Sequence, residues 1–218
     1  VKLARTLGMV AWTLEVASPR VERYRDTSGP GVDAVRAMTE AVRSHEGVRA
    51  ARDRALLALL YGQGLRRGEV VSLDVEHVDA AGARLSVLGK GKLEREWVHV
   101  TPAVLDVLQG WIAVHPSPRS GPLFLGWDAT TGAPHGRLSG RAVAKLTNRY
   151  GMEAVGVPVR PHGLRHTAAT ALLDAGLSWA EVAGFTRHRD PSTLRHYDDN
   201  RAKRGATAAR RLAELVRL

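Results

Sequence analysis

A mainly helical fold with one small antiparallel β-sheet, of the α+β class, is what this chain predicts, and three observations carry that expectation. Apolar residues recur at helical spacing over most of its 218 residues. Strand-like alternation appears only over residues 84–100. Helix-start signals recur at Thr101-Pro102, Ser139 and Ser178, each just ahead of an apolar periodic run.

The elements follow in order. Residues 1–18 read as the tail of a helix and a strand-like WTLEV. The basic connector PRVERYRDTSGPG, residues 19–31, ends at Pro30-Gly31. The chain lacks an initiator Met, so residues 1–18 are expected to be the C-terminal end of a domain that precedes this segment. Residues 19–31 then form the interdomain linker, and residues 32–218 the main domain. In that domain Val32, Val35, Met38, Thr39 and Val42 share a helix face that Gly47 closes. A second helix covers residues 49–61, Gly62 and Gly64 break it, and RRGEVVSL restarts a short helix with Val70, Val71 and Leu73 inward.

RLSVL and EREWVHV alternate around the turn GKGK and predict a hairpin. Thr101 then caps a helix to about residue 114, with Pro102 at its first position. HPSPRSGP and DATTGAPHGR read as loops around a short LFL strand or turn, and Ser139 starts a helix to about Tyr150. His162 to Asp174 makes the next helix, and Ser178 with Glu181 forms a capping box for another. STLRHYDD holds a short helix, and AARRLAELVRL closes the chain as a basic amphipathic one.

Composition narrows the function classes. Lys and Arg total 32 against 22 Asp and Glu, a formal net charge of +10, which predicts a polyanionic partner with nucleic acid ahead of acidic membrane. No apolar run approaches the roughly 18 residues of a membrane span. The absence of cysteine removes thiolate catalysis and Cys-type zinc sites together, and suits a reducing compartment.

The stretch RPHGLRHTAAT, residues 160–170, concentrates the chemistry. His162 and His166 stand at i, i+4, a zinc-like spacing. The glutamate of HExxH is missing, however, and Arg165 between them would repel a metal. His166 reads as a core histidine that hydrogen-bonds a carbonyl and anchors its helix. Arg165 is flanked by Leu164 and Ala168, and a guanidinium in such surroundings needs an anionic partner, carboxylate or phosphate. Arg66 sits three residues before Glu69, and Lys90 sits at a glycine-flanked hairpin tip. Tyr197 follows His188 by nine residues, and its phenol, with an ordinary pKa of about 10, needs a base or a positive field to attack phosphorus.

Together Arg66, Lys90, His162, Arg165, His188 and Tyr197 resemble the active-site signature of the tyrosine recombinase (phage integrase-like) family. The matching stretches are LLYGQGLRRGEV, LGKGKLEREWVHV, RPHGLRHTAATALLDAG and RHRDPSTLRHY, within residues 32–200. One departure stands out: the family's usual Leu-Gly-His triplet reads Thr186-Arg187-His188 here, so Arg187 replaces a glycine and is expected to contact DNA.

The resemblance implies a tyrosine recombinase catalytic-domain fold and a site-specific DNA recombinase. Such an enzyme cleaves and rejoins strands through a 3′-phosphotyrosyl link, with no cofactor, metal or ATP. It implies Tyr197 as nucleophile, Arg66 and Arg165 as a clamp on the phosphate oxygens, and Lys90 as general acid. His162 would assist proton transfer, His188 would hydrogen-bond the phosphate, and Glu69 would fix the helix carrying Arg66. The implied partner is double-stranded DNA, held as a homotetramer formed from monomers, with accessory DNA-bending proteins and a closing helix that docks on a neighbouring subunit. The implied location is cytoplasmic and nucleoid-associated, in a prokaryotic-type cell. A type IB topoisomerase and a DNA-binding module without catalysis remain as alternatives.

Overall fold

Residues 6–9, 29–128 and 130–187 are described by the computed structural model. His188, Tyr197 and the two helices expected near the C-terminus lie outside the described residues, as does most of the segment ahead of residue 29. Helix α1, Val32–Ser44, buries Val35, Met38 and Val42, while Val32 stays exposed in its first turn. Gly47 does not close α1. It opens α2, Val48–Leu57, as its N-cap with φ 85°, and His45 ends α1. A left-handed turn of this kind suits glycine.

The helix expected over 49–61 changes character at Ala58. Ala58–Gly62 forms a wider π-helical turn that places both Leu59 and Leu60 in the core. The chain leaves it through Gly64 at φ 55°, and the Leu65 N–H reaches back to the Leu59 carbonyl at 3.0 Å. Single π turns of this type gather at functional sites. Here the turn packs against the helix that carries Arg165.

Helix α3, Arg67–Val71, leads into a 3₁₀ turn at Val75–His77 and strand β1, Val78–Asp79. Strands β2, Arg84–Leu88, and β3, Arg95–His99, form the expected hairpin, with Ser86 opposite Trp97. Alternation shows in β2, where Leu85 and Val87 are fully buried. The sheet has three strands rather than two, because β1 pairs antiparallel with β2. Helix α4, Pro102–Ala113, starts as expected, with Thr101 Oγ1 accepting from the Val104 N–H.

A second, two-stranded sheet joins a strand that overlaps the LFL stretch to one formed in a stretch expected to be loop. Strands β4, Leu125–Trp127, and β5, Pro134–Arg137, pair antiparallel. All four β5 residues are exposed and include Pro134 and Gly136, so the strand carries no apolar alternation to detect. Helix α5, Gly140–Val155, also runs past the expected end at Tyr150, stopping at Gly156 in a left-handed C-cap. Gly151 is an interior glycine of that helix because the returning chain passes directly over it. A Cβ there would lie 2.6 Å from the Val157 carbonyl oxygen and 2.8 Å from the Val159 nitrogen.

Helix α6, Pro161–Asp174, begins with proline at its first position, where a missing N–H costs nothing. Helix α7, Trp179–Thr186, has the predicted capping box: Ser178 Oγ accepts from the Glu181 N–H, and Glu181 accepts from the Ser178 N–H at 2.7 Å. Helix α1 packs on α5, α2 on α4, and α6 on α7. The core between them is built on Leu56, Leu60, Leu65, Leu73, Leu108 and Trp111, all fully buried.

A buried carboxylate joins two helices of this core. Asp53 is buried and accepts from Arg52 Nε at 2.8 Å, Arg149 Nη2 at 2.9 Å and the Tyr150 hydroxyl at 3.0 Å. Burial, then the Asp53 charge, push the Tyr150 phenol up to about 12, so it remains a hydrogen-bond donor that joins α2 to α5. Because backbone atoms crowd Gly151, Gly151→Ala is expected to destabilise the fold by roughly 1–3 kcal/mol through overpacking, measured by urea unfolding.

Candidate active site

Four segments far apart in the chain line one cleft of about 780 Å³: the start of α3, the β2–β3 turn, one face of α5 and the start of α6. Arg66, Lys90, His162 and Arg165 all line it, together with Arg67, Lys92 and Arg160. His188 and Tyr197, the other two candidates, lie outside the described residues.

Arg165 is the most constrained of these. Its side chain is 1% exposed and ranks among the largest fully buried groups. Nη1 donates to the Gly64 carbonyl and Nη2 to the Thr186 carbonyl, so the guanidinium joins the π-turn exit, α6 and the end of α7. Two carbonyl dipoles thus accept from its fork. His162 lies three residues earlier on the same side of α6, as helical spacing requires. Burial, then the positive charge of Arg165 and the neighbouring His166 and Arg66, hold its imidazole below the ordinary histidine range.

Arg66 is the N-cap residue of α3, in extended conformation. Its backbone N–H donates to Glu69 Oε2 and its Nη1 to Glu69 Oε1, both at 2.8 Å, while Nη2 reaches the Arg187 carbonyl at 3.3 Å. Glu69 is 2% exposed. Burial pushes its carboxyl up, but the Arg187 charge and the hydrogen bonds from Arg66 and Arg187 more than offset this and leave it below the usual carboxylate range. Glu69 thus takes the structural place expected of it. Lys90 is exposed on the β2–β3 turn, which the Lys92 N–H closes onto the Gly89 carbonyl at 3.0 Å.

One expectation changes. Arg187, expected to contact DNA, turns inward: its side chain is 11% exposed and Nη2 pairs with Glu69 Oε2 at 2.6 Å. An extra acceptor beside Arg66 draws it there more strongly than solvent does. His166 is buried on α6 and joins that helix to the chain ahead of α1. The Gly29 N–H donates to Nδ1 at 3.3 Å, from 137 residues away.

The sequence model of the phage integrase family matches residues 32–204, which hold all four cleft residues and both candidates beyond residue 187. The chain belongs to the phage integrase family.

A tyrosine recombinase of Synechocystis sp. is 34% identical over 221 residues, covering 99% of this chain and 69% of the relative. The tyrosine recombinase XerC of Pseudomonas entomophila is 35% identical over 150 residues, covering 68% of this chain and 48% of its own length. Among solved structures, the XerA recombinase superposes with a TM-score of 0.66 at 20% identity, covering 88% of this chain and 66% of that one. The XerH recombinase in a post-cleavage complex with its palindromic difH substrate gives 0.67 at 20% identity, covering 84% and 53%. The fold of this integrase-family chain is therefore that of the recombinases, mostly helical with small antiparallel sheets.

Arg67, Lys92 and Arg160 were not singled out as site residues from the sequence. Their signal was adjacency, since each stands within two residues of a candidate: Arg67 beside Arg66, Lys92 after Lys90, and Arg160 before His162. Six Arg or Lys side chains face the cleft against one carboxylate, Glu69. The positive charge of this surface adds to burial in holding His162 below the ordinary histidine range.

The depressed His162 pKa has a signed consequence. As pH falls below about 6.5 the unfolded chain takes up the proton first, so this group removes folding stability until its folded pKa is reached. Urea unfolding from about pH 7.5 to pH 5 checks this: wild type is expected to lose more stability on acidification than His162→Gln.

Proposed function

We propose that this chain carries the catalytic centre of a site-specific DNA recombinase that cuts and rejoins strands by tyrosine transesterification. The observation that carries the reading is the convergence of Arg66 and Arg165, from α3 and α6, on adjacent carbonyls at the end of α7 beside one cationic cleft. A DNA phosphate entering that cleft would take the Arg66 and Arg165 forks in exchange for the carbonyl acceptors that hold them here, and both forks suit its non-bridging oxygens. Phosphoryl transfer asks for charge stabilisation of this kind together with an in-line nucleophile.

In this reading the Tyr197 oxygen attacks phosphorus, the bond to the 5′-oxygen breaks, and a 3′-phosphotyrosyl link forms. The phenolic proton passes to His162, whose neutral imidazole is able to take it. Lys90 on the exposed turn protonates the leaving 5′-oxygen, and His188 hydrogen-bonds the phosphate. The reverse attack by a free 5′-hydroxyl restores the diester and expels Tyr197, so the bond energy is conserved and no ATP is consumed. The paired arginines supply the charge that a metal ion supplies in many nucleases, and the reaction proceeds without one.

The partner is double-stranded DNA, and strand exchange between two duplexes takes place in a homotetramer assembled on DNA from monomers, helped by accessory bending proteins. The closing helix of the chain docks on a neighbouring subunit in that assembly. Residues 1–18 and 19–31 belong to a preceding DNA-binding domain and its linker, residues 32–218 form the catalytic domain, and the enzyme works on the nucleoid. The DNA complex of the XerH relative is in keeping with this partner. So is the net charge of +10.

A nicked suicide substrate tests the reading. Wild type is expected to form a covalent protein–DNA adduct in the presence of EDTA, and Tyr197→Phe to form none. Arg165→Lys keeps one positive charge but loses the fork, and is expected to slow adduct formation by roughly 100- to 1,000-fold, the range seen when one transition-state donor is removed. No adduct from wild type on any candidate attachment site would overturn it.

A further inference from the structure

Arg187 is one of two non-glycine residues at positive φ among the described residues, the other being Ala83. It follows the last residue of α7 at φ 52°, ψ 46°, the position where helices usually end on glycine. A β-carbon in this region is strained, and such strain persists only where its surroundings hold it. What holds it here is a set of contacts to two elements, α3 and β3. Nη2 pairs with Glu69 of α3 at 2.6 Å. Nε lies 3.9 Å from Glu96 Oε1 on β3, and Glu96 in turn pairs with Lys92 beside Lys90. The Arg187 carbonyl accepts from Arg66 Nη2 at 3.3 Å.

We infer that Arg187 is a positioning residue: through Glu69 it sets the orientation of the Arg66 fork, and through Glu96 it draws the Lys90 turn toward the same point. This rests on the recombinase reading of the cleft. Glu69 has two oxygens to share. Oε1 takes Arg66 Nη1, while Oε2 takes both the Arg66 N–H and Arg187 Nη2. The second arginine therefore locks the carboxylate in one rotamer and leaves Arg66 Nη2 aimed at the end of α7. It also changes the charge balance. Arg66 and Glu69 alone form a neutral pair, whereas Arg66, Glu69 and Arg187 together stay positive, so the clamp keeps its pull on phosphate. A glycine would satisfy the backbone and do neither.

Arg187→Gly removes the side chain while suiting the backbone, so it separates positioning from folding. Adduct formation at saturating DNA, corrected for the folded fraction by circular dichroism, is expected to fall by roughly 10-fold or more, within the ~100-fold that a misplacement of about 1 Å costs. Arg187→Lys, with charge but no fork, is expected to fall between the two. An Arg187→Gly enzyme that cleaves at the wild-type rate overturns the inference. So does a loss explained wholly by weaker DNA binding or a smaller folded fraction. The tether is also read without catalysis, from the unfolding temperatures of Arg187→Gln, Glu69→Gln and the double variant: non-additive shifts support it and additive shifts overturn it. Wild type that forms no adduct while the cycle is non-additive refutes the recombinase reading and leaves the tether standing.

Discussion

The C-terminal end of α7 is the point on which the site depends. A buried guanidinium is costly unless its donors are met, and Arg165 is both buried and directed at the Thr186 carbonyl. The next carbonyl, that of Arg187, accepts from Arg66. Helix ends expose carbonyls with no partner inside the helix, and they favour positive charge. Two arginines from different helices thus meet because one helix end offers them adjacent acceptors. Gly64 completes the arrangement. Its left-handed backbone presents the carbonyl that takes Arg165 Nη1, and a Cβ there would lie 2.8 Å from the Phe185 ring.

The same crowding sets the protonation of the site. Positive groups outnumber the single acid in the cleft, and that acid is already bound to two arginines. His162 is therefore held neutral by its burial and by its neighbours. Burial and the two guanidinium groups thus act on His162 in the same direction, while those guanidinium groups are themselves held by Glu69 and by the carbonyls of Gly64, Thr186 and Arg187.

A second constraint explains His166 and the chain entering α1. Gly29 crosses α6 so closely that a Cβ would lie 2.5 Å from the Gly163 carbonyl oxygen. The backbone N–H groups of Gly29 and Gly31 donate to His166 and Thr167, both on α6. The chain ahead of α1 is thus fastened to the helix that carries His162 and Arg165. His166 is buried for this anchoring, which is why it does not join His162 in the cleft.

Sequence alone determined the helical class, the β2–β3 hairpin, the capped starts of α4, α5 and α7, and the set of candidates from Arg66 to Arg165. The elements rest on local chemistry: side-chain period, an N-cap oxygen, a proline at the first helical position, whereas the candidate set rests on the resemblance of its motifs to the family signature. The end of α5 was misplaced because Gly151 is a helix interior only by virtue of the chain returning over it. Strand β5 was invisible because its residues face solvent on both sides. The place of Arg187 was decided by the tertiary structure alone. An arginine beside a histidine reads as a DNA contact until the fold brings Glu69, 118 residues away, within 2.6 Å of it. Long-range electrostatics of that kind leave no period in a sequence, since the partners are chosen by packing and not by spacing.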